Sequence, residues 1–386
     1  MPMMNKDPIV FVFNSPLASG CDYVLQTIRV VSLRYPTYGV ALGDVISLPK
    51  LIVSRDRWIV RMVNGGCVIR PVSLVPGVRF RIVRMSAYVL ASFVLWVYIQ
   101  IHHSREEKYV WFFEPFHIFP LLRFFYGYRT IYDCVDYYPG FHAYAKKEHN
   151  LVLQRATHVF ANSKGLVKKL TSVRPDTISV PLGFARSLFD KRKVDPILPM
   201  KSPFTVGYIG SISDRMDFCL LEYVVNKLPS IQFLFVGQLE SNVFGVRDQA
   251  ATLFTALRRY SNVRWIPGVP KRRIPEILSK MDACIVPYRV DLLFNQYSFP
   301  MKVMEYFASG KPVITTDIFA LRQYAQDGLL TLARSPEEFT LGIQQYALHG
   351  WNAASQKRQV VEALHNTWIS KVSRIMSVLN GNTLRS

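Results

Sequence analysis

Acidic side chains are scarce in this chain of 386 residues, where 27 Asp and Glu face 47 Lys and Arg for a formal net charge of +20. Such an imbalance draws a protein towards anions, either nucleic acid or an anionic membrane surface. Cysteine is also sparse. Five cysteines lie scattered, odd in number and without a C-x-x-C pair, which excludes a disulfide framework or a zinc site and argues for a reducing compartment. The chain shows no internal repeat and no low-complexity run, and hydrophobic residues at 50% with aromatics at 13% exclude disorder. No charged segment followed by an apolar one opens it, because Met1 to Asp7 leads straight into I-V-F-V-F, so a cytoplasmic protein is expected. There is no continuous basic tail either. The basic residues fall in short groups: Arg79, Arg81 and Arg84; Lys164, Lys168 and Lys169; Lys191, Arg192 and Lys193; Lys271, Arg272 and Arg273. A solvated basic surface is the plain alternative to a membrane or nucleic-acid role.

One long apolar run stands out. Residues 85–101 carry no charge over 17 positions, and as a helix they would reach roughly 26 Å, short of a hydrocarbon core of about 30 Å. Arginines crowd only its N-terminal side, and Trp96 lies within it. Three readings stay open: a spanning helix, a helix dipped into the bilayer interface, and a buried core helix.

Elsewhere strand-like and helix-like segments alternate, the pattern of parallel α/β sheets. Strands are predicted at 9–13, 109–113, 130–135 and 158–161, with Asn162-Ser163 capping a helix from Lys164. A polar stretch rich in Pro and Lys at 190–203 marks a boundary, after which F-T-V-G-Y-I-G-S-I-S-D-R-M-D restarts the pattern. Further strands are predicted at 231–236, 263–266 and 283–286. In doubly wound sheets ligands bind beyond the carboxyl ends of the strands. Gly210 and Ser211 stand at such an end before a helix, where glycine lets backbone approach a pyrophosphate, and Arg215 adds a charge. Equally, a lone G-x-x-G can be only a turn, and Arg215 a surface residue.

The most informative stretch is S-F-P-M-K-V-M-E-Y-F-A-S-G-K-P-V-I-T-T, residues 298–316. It delivers Lys302 and Glu305 at i, i+3 onto one face of a short helix, with Gly310 as its stop and a buried strand after it. A cation and a carboxylate at the start of a helix suit a ligand that is both phosphate and sugar: Lys302 for a diphosphate, Glu305 for ribose hydroxyls. The bland reading is a surface Lys–Glu pair.

This motif resembles the donor-site signature of GT-B glycosyltransferases of the group-1/family-4 type. The resemblance implies two Rossmann-like doubly wound domains facing a cleft: 1–185, binding acceptor and membrane; 186–350, binding nucleotide sugar; and 351–386, helices returning to the first domain. It implies a nucleoside diphosphate sugar, UDP- or GDP-linked, as co-substrate without a further cofactor, and places Gly268 and Val269 near the base. I-S-V-P-L-G-F is similar to the family's interdomain connector. One departure matters: in the family's E-x7-E the first position here is Tyr297, which leaves the donor sugar and the stereochemical outcome open. The lysine inside the motif resembles a branch that builds bacterial surface polysaccharides, the neighbourhood of teichuronic-acid-type transferases and the membrane-associated xanthan glucuronosyltransferase. In I-Y-D-C-V-D-Y-Y-P-G-F-H-A, Asp136 and secondarily Asp133 lie at a strand end where a general base would face the cleft, and a catalytic aspartate occupies a similar place in that branch. Capping a turn suits Asp136 as well. His142 could assist. With no D-x-D metal motif, phosphate charge would be met by Lys302 and Arg215 instead of a metal.

The expected protein is therefore a metal-independent glycosyltransferase, peripheral on the inner membrane face through Arg79, Arg81, Arg84 and Trp96. Its acceptor would be lipid-linked or a polysaccharide precursor. A nucleotide-sugar epimerase on the same fold is the alternative, and would leave the basic, aromatic first half unexplained. A nucleic-acid-binding protein would need basic residues interleaved with aromatics along one groove.

Overall fold

The computed structural model describes residues 9–14, 22–41, 44–53, 59–63, 65–116, 118–140, 145–189, 203–240 and 249–381. The segment 190–202, nearly all of the expected boundary, and His142 lie outside them. Two parallel sheets organise the chain. The first is built from β1 (Ile9–Asn14), β2 (Thr37–Val40), β4 (Val60–Val63), β5 (Gly66–Ile69), β7 (Glu107–Phe112), β8 (Arg129–Cys134), β9 (His158–Ala161) and β10 (Ile178–Ser179), with β3 (Ile46–Ser47) and β6 (Val72–Ser73) pairing separately. Its order is β10-β9-β8-β7-β1-β2-β5-β4, and only β4 runs antiparallel. The second contains β11 (Thr205–Ile209), β12 (Gln232–Val236), β13 (Val263–Ile266), β14 (Ala283–Val286), β15 (Val313–Thr316) and β16 (Thr331–Ala333), in the order β13-β12-β11-β14-β15-β16 and parallel throughout.

Central strands of such sheets are covered on both faces, which is why they read as apolar runs. All of Ile9–Asn14 is buried, and Phe13 and Trp111 of neighbouring strands stack with centroids 5.2 Å apart. Each sheet has its own core. Strand order reverses between β1 and β7 in the first sheet and between β11 and β14 in the second, so both have a crevice beyond those carboxyl ends.

The chain crosses between the domains along paired segments, where Phe184 N donates to Asn366 O at 3.0 Å. The C-terminal region divides differently from the expected 351–386 unit. Helix Ala353–His365 stays on the second domain, because Gln356 donates to Gly310 O and Gln359 to Lys311 O and Leu329 O. Only the last helix, Trp368–Leu379, returns to the first domain, burying Trp368, Val372, Ile375 and Met376 in its core. Its Lys371 Nζ lies 2.8 Å from Asp133 Oδ1, and neither side chain is exposed to solvent.

The apolar run forms a longer helix than its uncharged stretch, Arg81–His102. Ala87, Tyr88, Ala91, Leu95 and Ile99 face the core, while Ile82, Leu90, Phe93, Val94, Tyr98 and Ile101 are exposed. It is thus neither wholly buried nor free of its domain. Trp96 is half-buried in an aromatic group with Phe93 and Phe124. Arg84 turns onto the carbonyls of Val78 and Arg79, whose own guanidinium lies 5.0 Å from the Phe80 ring.

Candidate active site

A cavity of about 370 Å³ opens between the carboxyl ends of the two sheets. Larger cavities of about 470, 510 and 600 Å³ lie elsewhere, and that of 510 Å³ also draws charged residues from both domains, but this one lies beyond the ends of β8 and β11 and holds Asp136, Arg215 and Lys302. The second domain provides Gly210 and Ser211 from the end of β11, Tyr288 from beyond β14, and Arg215 and Lys302; the first provides Asp136 and Tyr23.

Lys302 is the first residue of helix Lys302–Ala308, which Gly310 ends with φ +61°. Its Nζ sits 3.7 Å from the centre of the Tyr208 ring and 5.1 Å from that of Tyr288. Gly210 makes room for it. At φ +137° no other residue is at ease, and a Cβ there would stand 2.6 Å from Lys302 Nζ. Arg215 is held in place by Asn295, whose Oδ1 accepts from Nε at 2.9 Å, and its guanidinium lies 4.6 Å from the Tyr288 ring centre. Burial lowers the Lys302 pKa, against the pull of Tyr288. Burial by itself would raise the Tyr288 phenol, but Lys302 and Arg215 beside it outweigh that and bring it down to about 8. A site that stabilises phenolate in this way is built for an anion.

Asp136 faces these cations from the end of β8. Burial lifts its pKa above the ordinary carboxylate value, while Arg215 and the Ser298 hydroxyl act to lower it. Asp133 is not in the cleft. It lies in the strand itself, fully buried under the last helix against Lys371, and is corrected from catalytic candidate to structural ion pair.

Other expectations fare unevenly. Ser211 sits at the exposed mouth and donates to Glu240 at 2.6 Å. The helix expected directly after it begins only at Phe218, capped by Asp217, so its N-terminus is not what meets an anion at Gly210. Glu305 lies one turn beyond Lys302, half-buried, and its charge acts on Lys302. Gly268 and Val269 follow edge strand β13 beside Gln238 and do not line the cavity. Sequence reading missed Tyr288, Tyr23 and Ser298. Tyr23 donates to Glu114 Oε1 at 2.8 Å, beyond the strand switch of the first sheet, where Asn14 also donates to Glu114 O. The Glu114-Pro115 strand end was the available signal. Among the described residues, no group of three or more His, Cys, Asp or Glu is placed to hold a metal ion.

Two Rossmann-like sheets facing one cleft, with a final helix crossing back, define the GT-B fold. Over 97% of the chain it superposes on sucrose-phosphate synthase from Thermosynechococcus elongatus (TM-score 0.72, 14% identity, 99% of that chain). It likewise superposes on Anabaena HepE in complex with UDP and glucose (TM-score 0.68, 14% identity, 97% of this chain, 100% of that one). Residues 203–348 match the family described as glycosyl transferases group 1. The chain is also similar to TuaH of Bacillus subtilis (strain 168), named for teichuronic acid biosynthesis glycosyltransferase, at 30% identity over 220 residues, 52% of this chain. It spans about half that relative's length, 53%.

Proposed function

We propose that this chain is a glycosyltransferase that moves a sugar from a nucleoside diphosphate sugar to an acceptor hydroxyl in the interdomain cleft. The observation that carries the reading is the opposition, across one cavity, of Lys302 and Arg215 from the second domain and Asp136 from the first. The two cations take the diphosphate and stabilise it as it leaves, without calling on a metal, and Glu305 takes ribose hydroxyls. Asp136 accepts the acceptor's proton. The UDP in one structural neighbour and the surface-polymer role in the name of the sequence relative support a UDP-type donor and a polysaccharide precursor as acceptor. An epimerase would need no acceptor-facing carboxylate and no apolar first-domain helix.

Calorimetry with UDP and GDP tests the donor site. Lys302→Ala and Glu305→Ala should each weaken binding by roughly 1.5–3 kcal/mol, the scale of a charge-assisted hydrogen bond. Folded variants with wild-type affinity would remove the donor site from this cavity.

The acceptor is read as lipid-linked, presented at the cytoplasmic face of a membrane. The exposed apolar side of helix Arg81–His102, with Arg79 and Arg81 at its start, supports this placement, as does the net charge of +20. The protein should sediment with anionic vesicles and be released only partly by high salt, since apolar contact survives screening. Complete release would reduce the anchor to the basic groups alone, whereas binding to duplex DNA in preference to vesicles at matched salt would overturn the placement.

A further inference from the structure

The cavity of about 510 Å³ also lies between the domains, and Phe299 lines both it and the cavity that holds Asp136 and Lys302. The first domain contributes the end of β9 and helix Lys164–Leu170, the second the segment that follows β15. Glycine permits the close approach, since a Cβ on Gly165 would stand 2.8 Å from Phe319 Cδ1. Cations from both domains reach that ring: Lys168 Nζ lies 6.0 Å from its centre and the Arg322 guanidinium 4.7 Å. Lys164 is one helical turn before Lys168, and both are exposed. Arg322 is fixed by donating through Nε and Nη2 to Asp317 at 2.7 and 3.0 Å. Arg334 Nε shares that carboxylate at 3.5 Å, so positive charge stays in excess.

Hydrogen-bond acceptors line the same cavity. Asp327 accepts from Gln323 at 3.1 Å and Glu362 from Asn366 at 2.7 Å, and a carboxylate with one such bond keeps lone pairs for more. Phe299 and Tyr324, with ring centres 5.8 Å apart, add an apolar patch. Asn162 is 2% exposed and donates through Nδ2 to Val135 O, while its buried Oδ1 has no hydrogen-bond partner among the described residues. A buried amide oxygen left in that state calls for a donor from outside the chain. Cations, acceptors and rings together suit a ligand with one negative group, several hydroxyls and an apolar face. A nucleoside diphosphate would bring its larger charge to Asp327 and Glu362, and a neutral sugar would leave the cations unanswered.

We propose that this cavity is a binding site for an acidic sugar, one that bears a single carboxylate or phosphate. Lys164, Lys168 and Arg322 take the anion, the carboxylates of Asp327 and Glu362 and the Asn162 carbonyl take hydroxyls, and the apolar face of the sugar packs on the aromatic rings. Because its cations come from different domains, the sugar bridges them beside the cleft.

Saturation-transfer NMR on the whole protein tests this, with titrations of glucuronate, glucose 6-phosphate and glucose, and with inorganic phosphate as competitor. At least one acidic sugar should bind at concentrations where glucose gives no signal, and should stay bound in saturating UDP. Which of the two binds distinguishes a carboxylate ligand from a phosphate one. The double change Lys164→Ala with Lys168→Ala, and separately Arg322→Gln, should each weaken binding about tenfold, as for a charge-assisted contact partly screened by solvent. All three side chains are exposed, so the fold should persist, and unchanged UDP affinity in both variants checks this. Wild-type affinity for the acidic sugar in either variant, or its displacement by UDP, would overturn the proposal. So would glucose binding as tightly as the acidic sugars, or neither acidic sugar binding at all. Inorganic phosphate displacing the sugar at equal concentration would reduce the site to an adventitious anion only, and overturn it too.

Discussion

Asp136→Asn is expected to leave the fold and nucleotide affinity intact while slowing sugar transfer by about 10²-fold or more, the scale of general-base catalysis. Asparagine keeps the shape at the end of β8 but loses the negative charge and with it the capacity to take a proton. The environment strengthens the native base: burial raises its pKa first, and Arg215 and Ser298 restrain that rise. When a diphosphate draws on the charge of Arg215, one restraint weakens, so Asp136 becomes more basic as the donor arrives. A base set across the cavity from the leaving diphosphate also requires attack from the opposite face, hence inversion at the anomeric carbon. Turnover of this variant, together with the anomeric configuration of the wild-type product, checks both points. A variant of near-wild-type rate with a retained product would assign the chemistry to groups on the donor side.

Lys371→Ala is expected to destabilise the first domain by about 3–5 kcal/mol, the cost of leaving a buried charge without its partner. Lys371 and Asp133 are wholly buried and 2.8 Å apart. Burial already raises the Asp133 pKa, with Lys371 working against it; without the lysine the carboxyl would take up a proton. The double change Asp133→Leu with Lys371→Met should recover most of the loss, because apolar side chains fill such a site without desolvating ions. Urea unfolding followed by hydrogen exchange along Trp368–Leu379 reads the effect. A single substitution as stable as wild type would mean that the last helix is held by its apolar face alone.

These two aspartates show where sequence stops being enough. In D-C-V-D both lie near a strand end, and nothing local separates them. The structure does, since Asp133 is still within β8 and points into the layer covered by the last helix, while Asp136 has left the sheet for the cleft. The deciding partner is 238 residues away in the chain. Short strands were the easiest to read: 283–286, apolar and buried at every position, is predicted with the bounds observed, and so are 158–161 and 263–266, although each carries a polar or charged residue, His158 and Arg264, at a less buried position. The thin, partly exposed strands of the first domain at 37–40, 60–63 and 66–69 leave no such run. The long helix begins four residues before its uncharged stretch, since its first turn is exposed and carries arginine. Lys302, Arg215 and Gly210 were legible as motif residues next to strand ends. Tyr288 and Ser298 were not, because their roles come from what other loops bring to them.

The return of the last helix has a consequence for synthesis. The first domain is translated first, yet Trp368, Val372, Ile375 and Met376 of its core, together with the partner of Asp133, are made after the whole second domain. Domains ordinarily fold as they leave the ribosome, N-terminal ones first. Here the nascent first domain must wait with an open apolar seam and an unpaired aspartate until more than a hundred and fifty further residues, spanning the second sheet of β11 to β16, have emerged. A ribosome stalled anywhere in that interval holds a domain that is sticky by construction. Fusions that slow or bury the C-terminus should lower soluble yield by acting on the opposite end of the chain.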